Sequence, residues 1–167
     1  MSESFPWYAS VSAGKLEQGD FLSECPLFQV REDGAFSQEA ANAVVLSHSC
    51  DLANDKLEIV QVCPFWPLES LAAQVEYLRS RRGREDLRRG NLPGYHLLNR
   101  CALTGLESDF LVLDFRSLFG IPIASAQSLA QRQPQRRRLL PPYREHLAQA
   151  FARFFMRVGL PTDIPEF

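Results

Sequence analysis

Apolar positions recur along this chain with two different periods, and the places where the period changes mark out the elements it predicts. Val44, Val45 and Leu46 form an unbroken apolar run, as expected for a strand covered on both faces. Upstream, the Gln18-Gly19-Asp20 turn leads into a short strand at Phe21 that Pro26 interrupts and Leu27 to Arg31 resumes, before a turn at Glu32-Asp33-Gly34. Ser37 to Asn42 has the character of a single helical turn, too short to be stable alone. Downstream, Leu57 to Cys63 reads as a returning strand. With Asn54-Asp55 as a two-residue turn, Leu46 faces Cys63, His48 faces Gln61 and Cys50 faces Ile59.

Pro64 and Pro67 end that strand, and the spacing of Leu71, Val75 and Leu78 predicts an amphipathic helix over 70–82 with Gly83 at its C-cap. Residues 84–90 read as a charged turn or short helix. Residues 95–103 and 109–115 have strand character about a Gly105 turn, and Phe119 to Pro122 bends the chain away. The final stripe of Tyr143, Leu147, Phe151, Phe154 and Val158 predicts a helix over 142–158, opened by Pro142 and closed by Gly159 and Pro161. Residues 1–18 form an arm that packs through Trp7 and Tyr8. This order predicts a single α+β domain over 1–167. It is built on a small curved antiparallel sheet or partial SH3-like barrel, with a central helix and the C-terminal amphipathic helix packed on it.

At 167 residues with 46% hydrophobic content, the chain is long enough for one substantial core. Met1 to Ser10 lacks the basic start and apolar core of a signal peptide, and no apolar run approaches the roughly 20 residues that span a bilayer. The expectation is a cytoplasmic protein with no membrane contact. Four cysteines without a CxxC pair indicate neither a secreted disulfide framework nor a zinc ribbon.

Charge is less even than the net value of -2 suggests, because arginine supplies 16 of the 18 basic residues and concentrates in two runs. Arg79, Arg81, Arg82, Arg88 and Arg89 lie in the first, and Arg136, Arg137 and Arg138 in the second. Guanidinium clusters of this kind suit phosphate oxygens, with Trp66 or Tyr95 as stacking platforms for bases. The bland alternative is a set of solvated helix ends.

The polar end of the central strand is the other candidate. On a continuing strand, Leu46, His48 and Cys50 share one face. An imidazole beside a thiol raises the thiolate fraction, and Asp51 is placed to orient the imidazole or to bond its own backbone. Cys50, His48 and Asp51 are thus candidate catalytic residues, although a free cysteine is often simply a small buried hydrophobe. Zinc held by His48, Cys50, His96 and Cys101 is a further expectation that the residue types permit. It is weakened by the five-residue spacing of His96 and Cys101, which puts them on opposite strand faces.

The residues Gly19-Asp20-Phe21, Val44 to Ser47, Val62-Cys63-Pro64 and Phe110 to Pro122 carry a resemblance to small bacterial proteins in which a strand ends in Ser-x-x-Cys-Asp-Leu, here residues 47–52. More remotely, the first three elements, over residues 18–68, resemble the MazF/PemK-like toxins, whose SH3-like barrels cleave RNA. That likeness implies a barrel-like fold and an RNA-facing surface. It does not imply their chemistry, because Asn42-Ala43 replaces their Arg-Pro pair and Phe65-Trp66 stands where a threonine is expected. The expectation is a non-catalytic cytoplasmic domain of a bacterial defence or mobile-element system. Its partner is nucleic acid or a protein, with homodimerisation compatible. The alternative is a hydrolase or transferase with Cys50 as nucleophile and His48 as base.

Overall fold

A computed structural model describes residues 5–12, 14–54 and 56–156. The arm forms β1 (Tyr8–Val11), and β2 (Phe21–Val30) and β3 (Phe36–Val45) make a long hairpin about the 32–34 turn. Then come α1 (Ser49–Ala53), β4 (Ile59–Pro67), α2 (Leu68–Gln74), a 3-10 turn over Glu76–Arg79 and α3 (Arg81–Arg88). The chain continues through β5 (Tyr95–Leu98), β6 (Leu111–Asp114), β7 (Phe119–Pro122), α4 (Ile123–Arg132), β8 (Arg136–Leu139) and α5 (Tyr143–Phe155).

The fold is α+β, with antiparallel sheets that do not close into a barrel. β4 is its central strand. It pairs with β7 over residues 59–62, with β3 over 62–64 and with β6 over 65–67, so one strand joins every part of a sheet ordered β2-β3-β4-β6-β5. β1 and β8 form a separate two-stranded ribbon, tied to the large sheet by the bridge between Asp20 and Arg138. No helix among the described residues is long and apolar enough to cross a membrane.

Three apolar clusters divide the interior. One lies between the sheet and α5, joining Tyr8, Phe21, Leu113, Phe115 and Leu147. Another sits under α4. The third gathers Leu68, Leu71, Leu78, Leu87 and Val112 under α2 and α3. The aromatic arm packs as expected: Trp7 stacks on Tyr143 at 3.6 Å, and Tyr8 meets Phe21 edge-on at 5.8 Å. The helical stripe of α5 also buries as read, through Leu147, Phe151 and Phe154. Val158, Gly159 and Pro161 lie outside the described residues, as does Asp55 of the expected two-residue turn.

Several local expectations are overturned. Ser37 to Asn42 is strand, because Ser37 to Ala41 pair in antiparallel register with β2, which supplies backbone partners that one isolated helical turn lacks. β2 runs through Pro26, and its irregularity is a bulge between Leu22 and Cys25 with Glu24 at φ +54. β2 is an edge strand, where a missing N–H is tolerated. Residues 119–122 form β7 rather than a bend, and α4 and β8, which are not among the expected elements, follow it. The pattern of α4 was available in Ile123, Ala126, Leu129 and Ala130.

The helix read over 70–82 is broken at Val75, which adopts extended dihedrals, and Gly83 lies inside α3 rather than capping its predecessor. A Cβ at Gly83 would stand 1.9 Å from the Tyr77 carbonyl oxygen. Only glycine lets α3 fold back this closely over the 3-10 turn. Arg79 donates from Nε to the Ala72 carbonyl at 2.9 Å and from Nη2 to the Ala73 carbonyl, satisfying acceptors that the end of α2 leaves free. Ser80 caps α3 by accepting from the Gly83 N–H at 2.9 Å.

Candidate functional site

The central strand does not continue to Cys50. Val44 pairs with Cys63 and Val45 with Val62, a two-residue offset from the expected register, and the chain leaves the sheet after Leu46. Leu46 and Ser47 both donate their N–H to the Gln61 carbonyl, and Ser47 Oγ accepts from the Gln61 N–H at 2.8 Å. The pairs His48 with Gln61 and Cys50 with Ile59 therefore do not form. His48 becomes the N-cap of α1, its Nδ1 accepting from the Cys50 N–H at 3.3 Å. Short polar side chains that bond the local backbone favour such a cap over strand continuation.

These residues are exposed or half-buried. The imidazole nitrogen nearest the cysteine is engaged by its backbone rather than by its thiol. Asp51 lies in the first turn of α1 and is not the partner of that nitrogen. Cys50 is the exposed thiol, whereas Cys25, Cys63 and Cys101 are buried. Burial pushes the Cys25 thiol up to about 11 and raises that of Cys63 further, keeping both protonated. No group of three or more His, Cys, Asp or Glu among the described residues is placed to hold a metal, so His48, Cys50, His96 and Cys101 do not converge.

The second arginine run is internal, which removes it as a contact surface. Arg136 and Arg138 lie two apart on β8 and therefore share a face, where both meet Asp20, itself wholly buried. Asp20 accepts from Arg136 Nε at 3.0 Å, from Arg138 Nε at 2.5 Å and from the Glu17 N–H at 3.0 Å. Arg136 also donates to the carbonyls of Gly14 and Lys15, and Arg138 to Glu17 at 2.5 Å. Arg137 points the other way, over the edge-on pair of Tyr8 and Phe21 rings at 5.1 and 4.9 Å, and donates to Ser108 at 2.8 Å.

The first run stays outside, and the fold adds to it. Three depressions adjoin around α3. A 290 Å³ hollow between the end of α3, β5 and α5 is lined by Arg88, Arg89, Arg153, His96 and His146 among others. A shallow 710 Å³ depression is lined by Arg79, Arg81, Arg84, Glu85, Arg88 and Arg89. A third, of 290 Å³, lies between the start of α2, α3 and β5. Arg84, Arg88 and Arg100 line it together with Glu69, Asp109 and an apolar floor. Arg88 belongs to all three. No protein-family model matches the chain, and no curated protein matches it.

Taken together, the three depressions gather seven arginines and two histidines against the three carboxylates Glu69, Glu85 and Asp109. Each carboxylate is already engaged. Glu69 takes both terminal nitrogens of Arg84 at 2.8 Å, and Glu85 is shared by Arg88 at 2.7 Å and Arg89 at 2.5 Å. Hydrogen bonds from Arg88 and then Arg89 hold the Glu85 carboxyl down at about 2. Asp109 binds Arg100 at 2.6 Å. Arg81 and Arg153 have no carboxylate partner among the described residues, and Arg82 reaches Asp86 only at 4.0 Å. His96 is only partly exposed along the wall of its hollow. Burial, and then the nearby His146, push its pKa down to about 4.

Arg84, Arg100, Arg153 and His146 also line this surface, although they are not among the expected contact residues. The first falls inside the run and its spacing could have flagged it; the other three reach it only through folding. Of the expected stacking platforms, Tyr95 lines the first depression and carries the Arg116 guanidinium over its ring at 4.4 Å, whereas Trp66 lines none of the three.

Proposed function

We propose that the protein is a non-catalytic nucleic-acid-binding module that holds sugar–phosphate backbone on the arginine-lined surface around α3. The observation that carries this reading is the local excess of guanidinium groups on three contiguous depressions, in a chain whose net charge is -2. Phosphate oxygens suit such a surface because a guanidinium donates two parallel hydrogen bonds to them and stays charged throughout. The overall field offers little long-range attraction, so affinity is expected to arise at contact and to release counterions.

The test is fluorescence anisotropy of labelled oligonucleotides across a salt series. Affinity should fall linearly in log–log form, with a slope of about -0.7 to -0.9 per phosphate contact. Arg81→Gln, Arg89→Gln and Arg153→Gln should each lower affinity and flatten the slope by about one contact. A response independent of salt overturns the reading.

A protein contact is a second reading, favoured by one feature. On the β2–β3 hairpin, Phe28, Val30 and Phe36 share a face, Val30 lying directly opposite Phe36, and all three are exposed. A second copy of the chain on that face predicts a concentration-dependent dimer by light scattering, lost in Phe36→Ser.

A further inference from the structure

The arginine-lined surface would bind the backbone of duplex and single strand alike, but the third depression is chemically unlike the other two. Its floor is made by Leu68, Leu97 and Phe110, and it opens beside Arg88, which also lines the phosphate-suited depressions. We propose that this depression receives an unpaired base, guanine in preference to the others, so that the ligand is single-stranded nucleic acid with one base turned into the protein. This rests on the nucleic-acid reading above and specifies its substrate.

Size, shape and polarity point the same way. At 290 Å³ the depression is at the small end of ligand cavities, which run from about 300 to 1,000 Å³, and suits one planar group rather than a larger ligand. One wall is already a planar stack, with the Arg100 guanidinium 4.6 Å from the centre of the Phe110 ring. Stacking on an aromatic or guanidinium plane is the sequence-tolerant part of base binding.

Specificity comes from the rim. Asp109 accepts from Arg100 Nε and from the Phe110 N–H through the same oxygen, Oδ1, leaving Oδ2 without a hydrogen bond among the described residues. A carboxylate is acceptor-only, so it favours a base edge that presents N–H donors. Guanine presents two adjacent donors, N1–H and the exocyclic amine, and the two lone pairs of the free Oδ2 can accept both. A duplex hides that edge in pairing, which makes single strand the form that fits.

The experiment compares three probes by anisotropy at one salt concentration, each in ribo and deoxyribo form. They are a short oligouridine with one central guanosine, the same strand with a central abasic position, and the guanosine strand annealed to its complement. The guanosine strand should bind about tenfold tighter than either of the others. Asp109→Asn, at an exposed position, should remove the preference over the abasic strand without lowering duplex affinity, because it takes a negative charge off the surface and frees Arg100. Phe110→Leu, which keeps the apolar filling, should lower single-strand affinity alone. Equal binding of all three probes with a normal salt slope overturns the base site and leaves the phosphate surface standing. Absence of binding to any probe overturns both.

Discussion

The two arginine runs have nearly the same composition and opposite fates. Arg136, Arg137 and Arg138 are drawn inside, while Arg81, Arg82, Arg88 and Arg89 stay in solvent. The difference lies in where their partners come from. The internal run is neutralised by Asp20 and Glu17, more than a hundred residues away in sequence. The external run is met by Glu69, Glu85 and Asp86, all within fifteen residues. A strand of four residues also differs from a helix of eight in what it presents. Alternation on β8 sends Arg136 and Arg138 to one carboxylate and Arg137 onto two aromatic rings, whereas the turns of α3 spread its arginines around an exposed cylinder.

The largest effect that sharpens this contrast should follow Arg136→Met. Removing one guanidinium leaves Asp20 fully buried with part of its charge unmet, at a cost of about 3–5 kcal/mol in urea unfolding. Combining it with Asp20→Asn should recover part of that loss, because the buried charge is then gone. A loss near zero in the single variant would mean that the internal run is not bound to its carboxylate in solution.

An intermediate effect concerns pH at the edge of the external run. Because His96 has its folded pKa lowered to about 4 from 6.5, the unfolded chain takes up its proton first as pH falls. Its contribution to stability is complete above about pH 6.5 and is lost progressively down to about pH 4. His96→Phe should flatten the pH dependence of the urea midpoint over that window. An unchanged profile would show that the ring is solvated.

The smallest effect on stability should come from Arg81→Gln with Arg89→Gln, whose side chains face solvent. The thermal midpoint should stay at the wild-type value while oligonucleotide affinity falls. A marked drop in midpoint would erase the distinction between the two runs.

How much of this was legible in the chain varies element by element. The buried strand at 43–46, the turn at 32–34, the aromatic arm and the stripe of α5 were readable, because each rests on a local period or a turn residue. The end of the central strand was not. His48 bonds its local backbone, and Ser47 and Ser49 accept from the N–H groups of the distant Gln61 and Gln18, which together draw the chain into α1, a competition that periodicity cannot weigh. Gly83 was misplaced for a related reason: its role depends on the carbonyl of Tyr77 crossing above it, a contact without a sequence signature.

For this protein the sequence alone determined the class of fold, most of the strands and the fact that arginine would carry its charge. Only the tertiary structure decided which arginines are surface and which are struts, and that Arg100, Arg153 and Phe110 stand beside α3. Local pattern records how a segment prefers to fold and which face it prefers to bury. It holds no record of the distant carboxylate that makes burying a charge tolerable, nor of the separate segments whose meeting forms a depression.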